Sequence, residues 1–173
     1  MNKIVFIGDS LTAGFDWQRR FPDHEVINLG ISGETIDGLL GRRERIRGTI
    51  GSPAVIFVMT GINNIANGQY DIATSYRELV RNLTTRYKKS KIVIQSILPV
   101  ALEWVSNDLI VNTNRHLEQI AHAYSAEYLD VYRLFVDAKG VLKKGYLQDD
   151  GVHLSTKGYE AWANEVDVIL RNP

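Results

Sequence analysis

A doubly wound α/β sandwich follows from three features of this sequence. Five short runs rich in Val, Ile and aromatic residues recur along the chain, at residues 4–7, 26–29, 55–59, 92–97 and 128–131. Each run is apolar at consecutive rather than alternate positions, the mark of a strand covered on both faces. Longer segments of helical periodicity separate the runs, so the sheet is parallel and its crossovers are helical. Right-handed crossovers leave few topologies, and five strands favour the order 2-1-3-4-5. The fold class is therefore a three-layer, flavodoxin-like sandwich around a five-stranded parallel sheet. With no internal repeat, linker or low-complexity stretch, it is read as one domain over residues 1–173.

The elements take their places in turn. The first strand, residues 4–7, ends at Gly8-Asp9-Ser10, and a helix is expected to begin near Leu11 with Ser10 as a possible cap. The second strand is followed by Ser32, read as the cap of a helix over residues 35–47. That helix would bury Ile36, Leu39, Leu40 and Ile46 and leave Arg42, Arg43, Arg45 and Arg47 as a solvated face. After the third strand, Ile72, Tyr76, Leu79, Val80, Leu83 and Tyr87 form one apolar stripe. Leu117, Ile120, Ala121 and Tyr124 repeat the pattern after the fourth strand. Tyr159, Trp162, Ala163, Val166, Ile169 and Leu170 repeat it at the carboxyl end, with Trp162 read as core. Trp104 lies in the loop after the fourth strand, where it either lines a pocket or packs against the body.

Composition excludes several classes of function. The 173 residues are 45% apolar and 23% charged, enough to bury roughly 70% of the unfolded surface without a metal or disulfide staple. There is no cysteine, which removes disulfide frameworks, thiolate zinc sites and a cysteine nucleophile together. Twenty basic residues balance twenty acidic ones, against the basic excess of a non-specific nucleic-acid binder. No apolar run approaches the ~20 residues of a bilayer span, and the first residues lack the apolar core of a secretory signal. The expectation is a soluble, cytoplasmic protein without stable membrane insertion.

In a doubly wound sheet, ligands sit beyond the carboxyl ends of the strands. Those ends carry Gly8-Asp9-Ser10-Leu11, then Gly30-Ile31-Ser32-Gly33, then Gly61-Ile62-Asn63-Asn64, and last the loop Asp149-Asp150-Gly151-Val152-His153-Leu154-Ser155. With the first strand between the second and third, Ser10 is flanked by Gly30 and Asn63. These residue types meet the needs of acyl transfer. Serine requires an adjacent base, which His153 supplies near neutral pH. Asp150 orients that imidazole and stabilises its cation, with Asp149 as the rival for the role. The tetrahedral oxyanion needs fixed donors, available from the Gly30 N–H, the Asn63 amide and the Ser10 N–H.

Gly8-Asp9-Ser10-Leu11 resembles the name-giving block of the GDSL esterases and lipases. Ser10, Gly30, Asn63 and His153 resemble, in order, the four marker residues of the SGNH hydrolase superfamily. The resemblance runs from Ile4 through Trp162. It implies a catalytic triad of Ser10, His153 and Asp150, an oxyanion hole of Ser10, Gly30 and Asn63, and no metal or organic cofactor. It also implies a small-molecule ester substrate, among family activities that include carbohydrate O-acetyl esterases, lysophospholipases and thioesterases. One position departs from the pattern: the third block usually ends in Asp, and here it ends in Asn64.

The leading expectation is a serine esterase with a shallow, open site that prefers acetyl or other short acyl groups. Residues 62–70 and 99–107 are expected to be the loops that set specificity. A thioesterase or lysophospholipase is the enzymatic alternative, and a binding module that kept the scaffold without turnover is the other. A metal site at Asp149, Asp150 and His153 lacks a second ligand cluster, and no dinucleotide or phosphate-binding glycine pattern follows the first strand. Asp9 is read as a hydrogen-bond acceptor beneath the nucleophile, and His24, His116 and His122 as solvated.

Overall fold

Side chains alternate across a strand, so each apolar run feeds two cores. The computed structural model describes residues 1–171. In β1 (Lys3–Gly8), Ile4 and Phe6 enter one core, while Val5 and Ile7 enter the other. The remaining strands are β2 (Glu25–Gly30), β3 (Val55–Met59), β4 (Lys91–Gln95) and β5 (Glu127–Leu129). All pair in parallel, in the order β2-β1-β3-β4-β5 expected from the sequence.

Helices cover both faces. On one side lie α1 (Ser10–Ala13), α2 (Trp17–Arg20) and α8 (Thr156–Arg171). Aromatic packing builds this layer: Phe6 stacks on Trp17 with ring centroids 4.0 Å apart, and Trp17 meets the fully buried Trp162 edge-on at 4.8 Å. The opposite side is mainly aliphatic, with Tyr76 fully buried in it, and is formed by α3 (Ile36–Gly41), α4 (Arg43–Ile50), α5 (Ile62–Ala66), α6 (Ala73–Arg86) and α7 (Asn107–Ala123). Among the described residues, no helix is long and apolar enough to cross a membrane.

Several expectations are corrected by tertiary contacts. The fourth strand stops at Gln95 rather than at Ile97. Beyond it the Asn114 side chain on α7 accepts from the Ile97 N–H and donates to the Ile97 carbonyl, both at 2.8 Å, in place of a neighbouring strand. The fifth strand covers 127–129 instead of 128–131, because the chain turns at Val131 and Tyr132 donates to the Ser96 hydroxyl. β2 is an edge strand and only partly buried, although its sequence reads as covered on both faces.

The single helix expected over 35–47 is two. It breaks at Arg42, whose side chain is not solvated but turns inward. Ser32 does not cap it: Ser32 is exposed, and the Thr35 hydroxyl accepts from the Gly38 N–H instead. Residues 62–66, expected as loop, form α5. His24 is half-buried rather than solvated, while His116 and His122 are exposed as expected. Trp104 is 69% exposed, so it does not pack against the body.

Candidate active site

The carboxyl end of β1 delivers Ser10 as the first residue of α1. Asp9, rather than Ser10, caps this turn, its Oδ1 accepting from the Leu11 N–H at 3.0 Å. Ser10 Oγ is thereby left to face the loop from 146 to 155. That loop is a tight hairpin: Leu147 and Leu154 form an antiparallel bridge, and the Gln148 N–H donates to the His153 carbonyl at 2.7 Å. Gly151 holds φ +74°, and a Cβ there would press on Ala101, so glycine is required for the close turn. The Ala101 N–H donates to the Gly151 carbonyl at 2.7 Å and ties the hairpin to the chain after β4.

These constraints bring three residues, 143 positions apart at the extremes, into one line. His153 Nε2 lies 3.0 Å from Ser10 Oγ, and His153 Nδ1 lies 2.6 Å from Asp150 Oδ2. Asp150 Oδ1 accepts from the Val152 and His153 N–H groups, both at 2.9 Å. Those backbone donors, with the imidazole, hold the Asp150 carboxyl down at about 2. The carboxylate is thus ionised across the working range and can accept a hydrogen bond from the Nδ1–H group while that proton stays on the imidazole. The His153 and Asp150 side chains are 43% and 48% exposed, so the line opens directly to solvent. Asp149, the rival for Asp150, is exposed and outside this line.

Gly30 and Asn63, which flank Ser10, are held by further contacts. Gly30 ends β2 beside Gly8. A Cβ on Gly30 would fall 2.3 Å from the Ala13 nitrogen and 2.8 Å from the Asp9 carbonyl oxygen, so the absent side chain admits α1. The Gly30 N–H donates to Asn28 Oδ1 at 3.0 Å, and Asn28 Nδ2 donates to the Thr12 carbonyl at 3.0 Å. Asn63, in the first turn of α5, donates through Nδ2 to the Glu34 carbonyl at 3.0 Å. That contact uses one of its two amide N–H bonds.

Asn64, the departure from the usual block, is buried and fully engaged. Its Oδ1 accepts from the Ile36 N–H at 2.9 Å and its Nδ2 donates to Gln69 Oε1 at 3.0 Å. An aspartate could serve the first partner but not donate to the second. Asn28, Glu34 and Gln69 are therefore supporting residues that the sequence reading missed. The signal for Asn28 and Glu34 was their position within two and four residues of Gly30.

Beneath the serine, Asp9 is 1% exposed and its Oδ2 has no hydrogen-bond partner among the described residues. Burial pushes its carboxyl up to about 7, against the Leu11 N–H, which favours the charged form; the Glu34 carboxylate adds to the rise. Among the described residues, no three His, Cys, Asp or Glu side chains converge as a metal-binding group.

Known proteins match this arrangement along most of the chain. Residues 6–161 match the model of the GDSL-like lipase/acylhydrolase family. The alpha2 subunit of platelet-activating factor acetylhydrolase IB from Rattus norvegicus is 25% identical over 164 residues, covering 90% of this chain and 70% of that protein. A solved structure from Streptococcus pneumonia, described as a platelet activating factor, superposes with a TM-score of 0.86 at 30% identity, over 96% of this chain and 83% of that one. An acetylxylan esterase from Geobacillus stearothermophilus shares the fold, with a TM-score of 0.75 at 22% identity over 95% and 92% of the two chains. The family match spans the strand ends that hold Ser10, Gly30, Asn63 and His153, and the chain belongs to the GDSL-like lipase/acylhydrolase family of carboxylic ester hydrolases.

Proposed function

We propose that residues 1–173 form one hydrolase domain that cleaves small acyl esters, acetyl esters above all, through a covalent Ser10 acyl-enzyme. The observation that carries this reading is the line from Asp150 Oδ2 through His153 to Ser10 Oγ, with steps of 2.6 and 3.0 Å. Ser10 Oγ attacks the ester carbonyl while its proton passes to His153 Nε2. Asp150 accepts from Nδ1 and stabilises the imidazolium. The Ser10 and Gly30 N–H groups and the second N–H of Asn63 Nδ2 stabilise the oxyanion. The Gly30 N–H has an internal acceptor in Asn28; a fully charged oxyanion is the stronger acceptor and draws the bond to itself. His153 then returns its proton to the leaving alcohol, and water repeats the sequence to free the acid.

Two features support a short acyl group. The His153–Asp150 pair is nearly half exposed, and the relatives at the sequence level are named for acetyl hydrolysis. The test is hydrolysis of p-nitrophenyl acetate, butyrate and octanoate by the wild type and Ser10→Ala. Acetate should be turned over fastest, and Ser10→Ala should lose at least ~10³-fold in kcat. Equal rates in the two proteins would refute the catalytic reading, and a faster octanoate reaction would refute the short-acyl one.

A further inference from the structure

The geometry points to Arg42 and Glu34 as positioning residues that set both outer donors of the oxyanion hole at once. The inference rests on the acyl-transfer reading above, which gives those donors their task.

Arg42 sits at the break between α3 and α4 and sends its guanidinium back toward the end of β2. Its Nε and Nη2 meet the two carboxylate oxygens of Glu34, each at 2.5 Å, and Nη2 also donates to the Leu29 carbonyl at 2.7 Å. The side chains are only 15% and 6% exposed. A planar, five-donor guanidinium suits this three-acceptor geometry, whereas an ammonium would meet part of it.

Each contact leads to one donor. The Leu29 carbonyl and the Gly30 N–H belong to the same peptide unit, which is rigid and planar. Anchoring the carbonyl therefore fixes the direction of the N–H at its other end. On the second side, the Glu34 carboxylate is clamped, and the main-chain carbonyl of the same residue accepts from Asn63 Nδ2. Clamping Glu34 sets the amide plane of Asn63 and so the aim of its other N–H. The intervening segment is exposed at Ile31, Ser32 and Gly33, and Gly33 adopts φ +76° with open space around it. The Ile31 N–H donates to the Gly8 carbonyl at 2.9 Å and the Glu34 N–H to the Ile31 carbonyl at 3.2 Å. Beside these main-chain bonds, the buried ion pair ties both ends of the loop, at Leu29 and at Glu34, from beneath.

A residue that acts through the hole should alter the transition state more than substrate binding. Arg42→Ala is expected to lower kcat for p-nitrophenyl acetate by about 10- to 100-fold while KM moves less than about threefold. Arg42→Lys should recover part of the loss, because it keeps the charge but not the fork. In an Asn63→Ala background the same Arg42→Ala change should cost at least about fivefold less than it does in the wild type. The second measurement needs no turnover: the Asn63 side-chain amide pair, assigned by its loss in Asn63→Ala, should be two sharp nitrogen-15-coupled signals in the wild type. In Arg42→Ala these signals should move to solvent-averaged positions. Glu34→Gln carries the same measurements if Arg42→Ala fails to fold.

Full additivity with Asn63→Ala, a loss confined to KM, or an unmoved Asn63 amide would each overturn the inference. Equal activity of wild type and Ser10→Ala would instead refute the acyl-transfer reading, and the amide signals would still decide whether Arg42 holds Asn63.

Discussion

Replacing Asp9 by Asn isolates the cost of a buried carboxylate beneath Ser10. Asp9 Oδ1 accepts from the Leu11 N–H and Oδ2 has no donor among the described residues, while Glu34 adds a like charge nearby. The folded carboxyl titrates near 7 against an ordinary value of 3.8. Each decade of proton affinity is worth ~1.4 kcal/mol, so the difference sets a ceiling of about 4 kcal/mol. The sign follows from linkage. Between about pH 4 and 7 the unfolded chain has released this proton and the folded chain still holds it. Wild-type stability therefore falls as pH rises through that window, and this contribution is flat outside it. About 3 kcal/mol of the change lies between pH 4.5 and 8. Asp9→Asn retains the cap acceptor for Leu11 and removes the titration. Urea unfolding of both proteins across that range gives the difference in slope, in which any constant packing cost of the substitution cancels. The variant should gain about 2–3 kcal/mol relative to wild type from pH 4.5 to 8. Parallel curves, within about 0.5 kcal/mol, would refute the argument that burial holds this carboxyl protonated.

Two other substitutions probe the frame of the site. Gly30→Ala places a methyl group against the Ala13 backbone; it should shift α1 and lower kcat by more than ~10²-fold, read with p-nitrophenyl acetate, and a near-wild-type rate would show that α1 accommodates it. Asn64→Leu strips the acceptor from the buried Ile36 N–H and the donor from Gln69, which should cost about 2–4 kcal/mol in urea unfolding. Asn64→Asp keeps the Ile36 contact and allows the Gln69 amide to turn and donate, so its turnover should stay within about threefold of wild type; a loss as large as that of Asn63→Ala would refute the separation of their roles.

Much of the frame was legible because it rests on periodicity. The five apolar runs and the α6, α7 and α8 stripes follow from which positions must leave water, and their order follows from crossover handedness. Strand ends were less legible. β4 looks apolar through Ile97, yet it stops at Gln95 because Asn114, distant in sequence, takes over the backbone bonds of Ile97. The α3–α4 break was hidden for the same reason. Arg42 reads as one more solvated arginine in a basic run, and only the approach of Glu34 and the Leu29 carbonyl turns it inward. Ser32 and Thr35 are equally good caps by residue type, and the exposed path of the loop decides between them.

The chain's chemistry was set locally: a serine after β1, a glycine after β2, an asparagine after β3 and an Asp-x-x-His loop near the end, each placed where a doubly wound sheet opens. Spacing favoured Asp150 over Asp149 as the partner of His153, and the folded loop places Asp150 Oδ2 2.6 Å from His153 Nδ1. What the folded chain alone decided is how those parts are aimed. The Ser10–His153 approach, the clamp of Arg42 on Glu34 and the Leu29 carbonyl, the grip of the Glu34 carbonyl on Asn63 and the buried state of Asp9 all depend on how distant segments pack. Residue type fixes which bonds a group can make, whereas distance and burial fix which of them it makes and at what pH it carries charge.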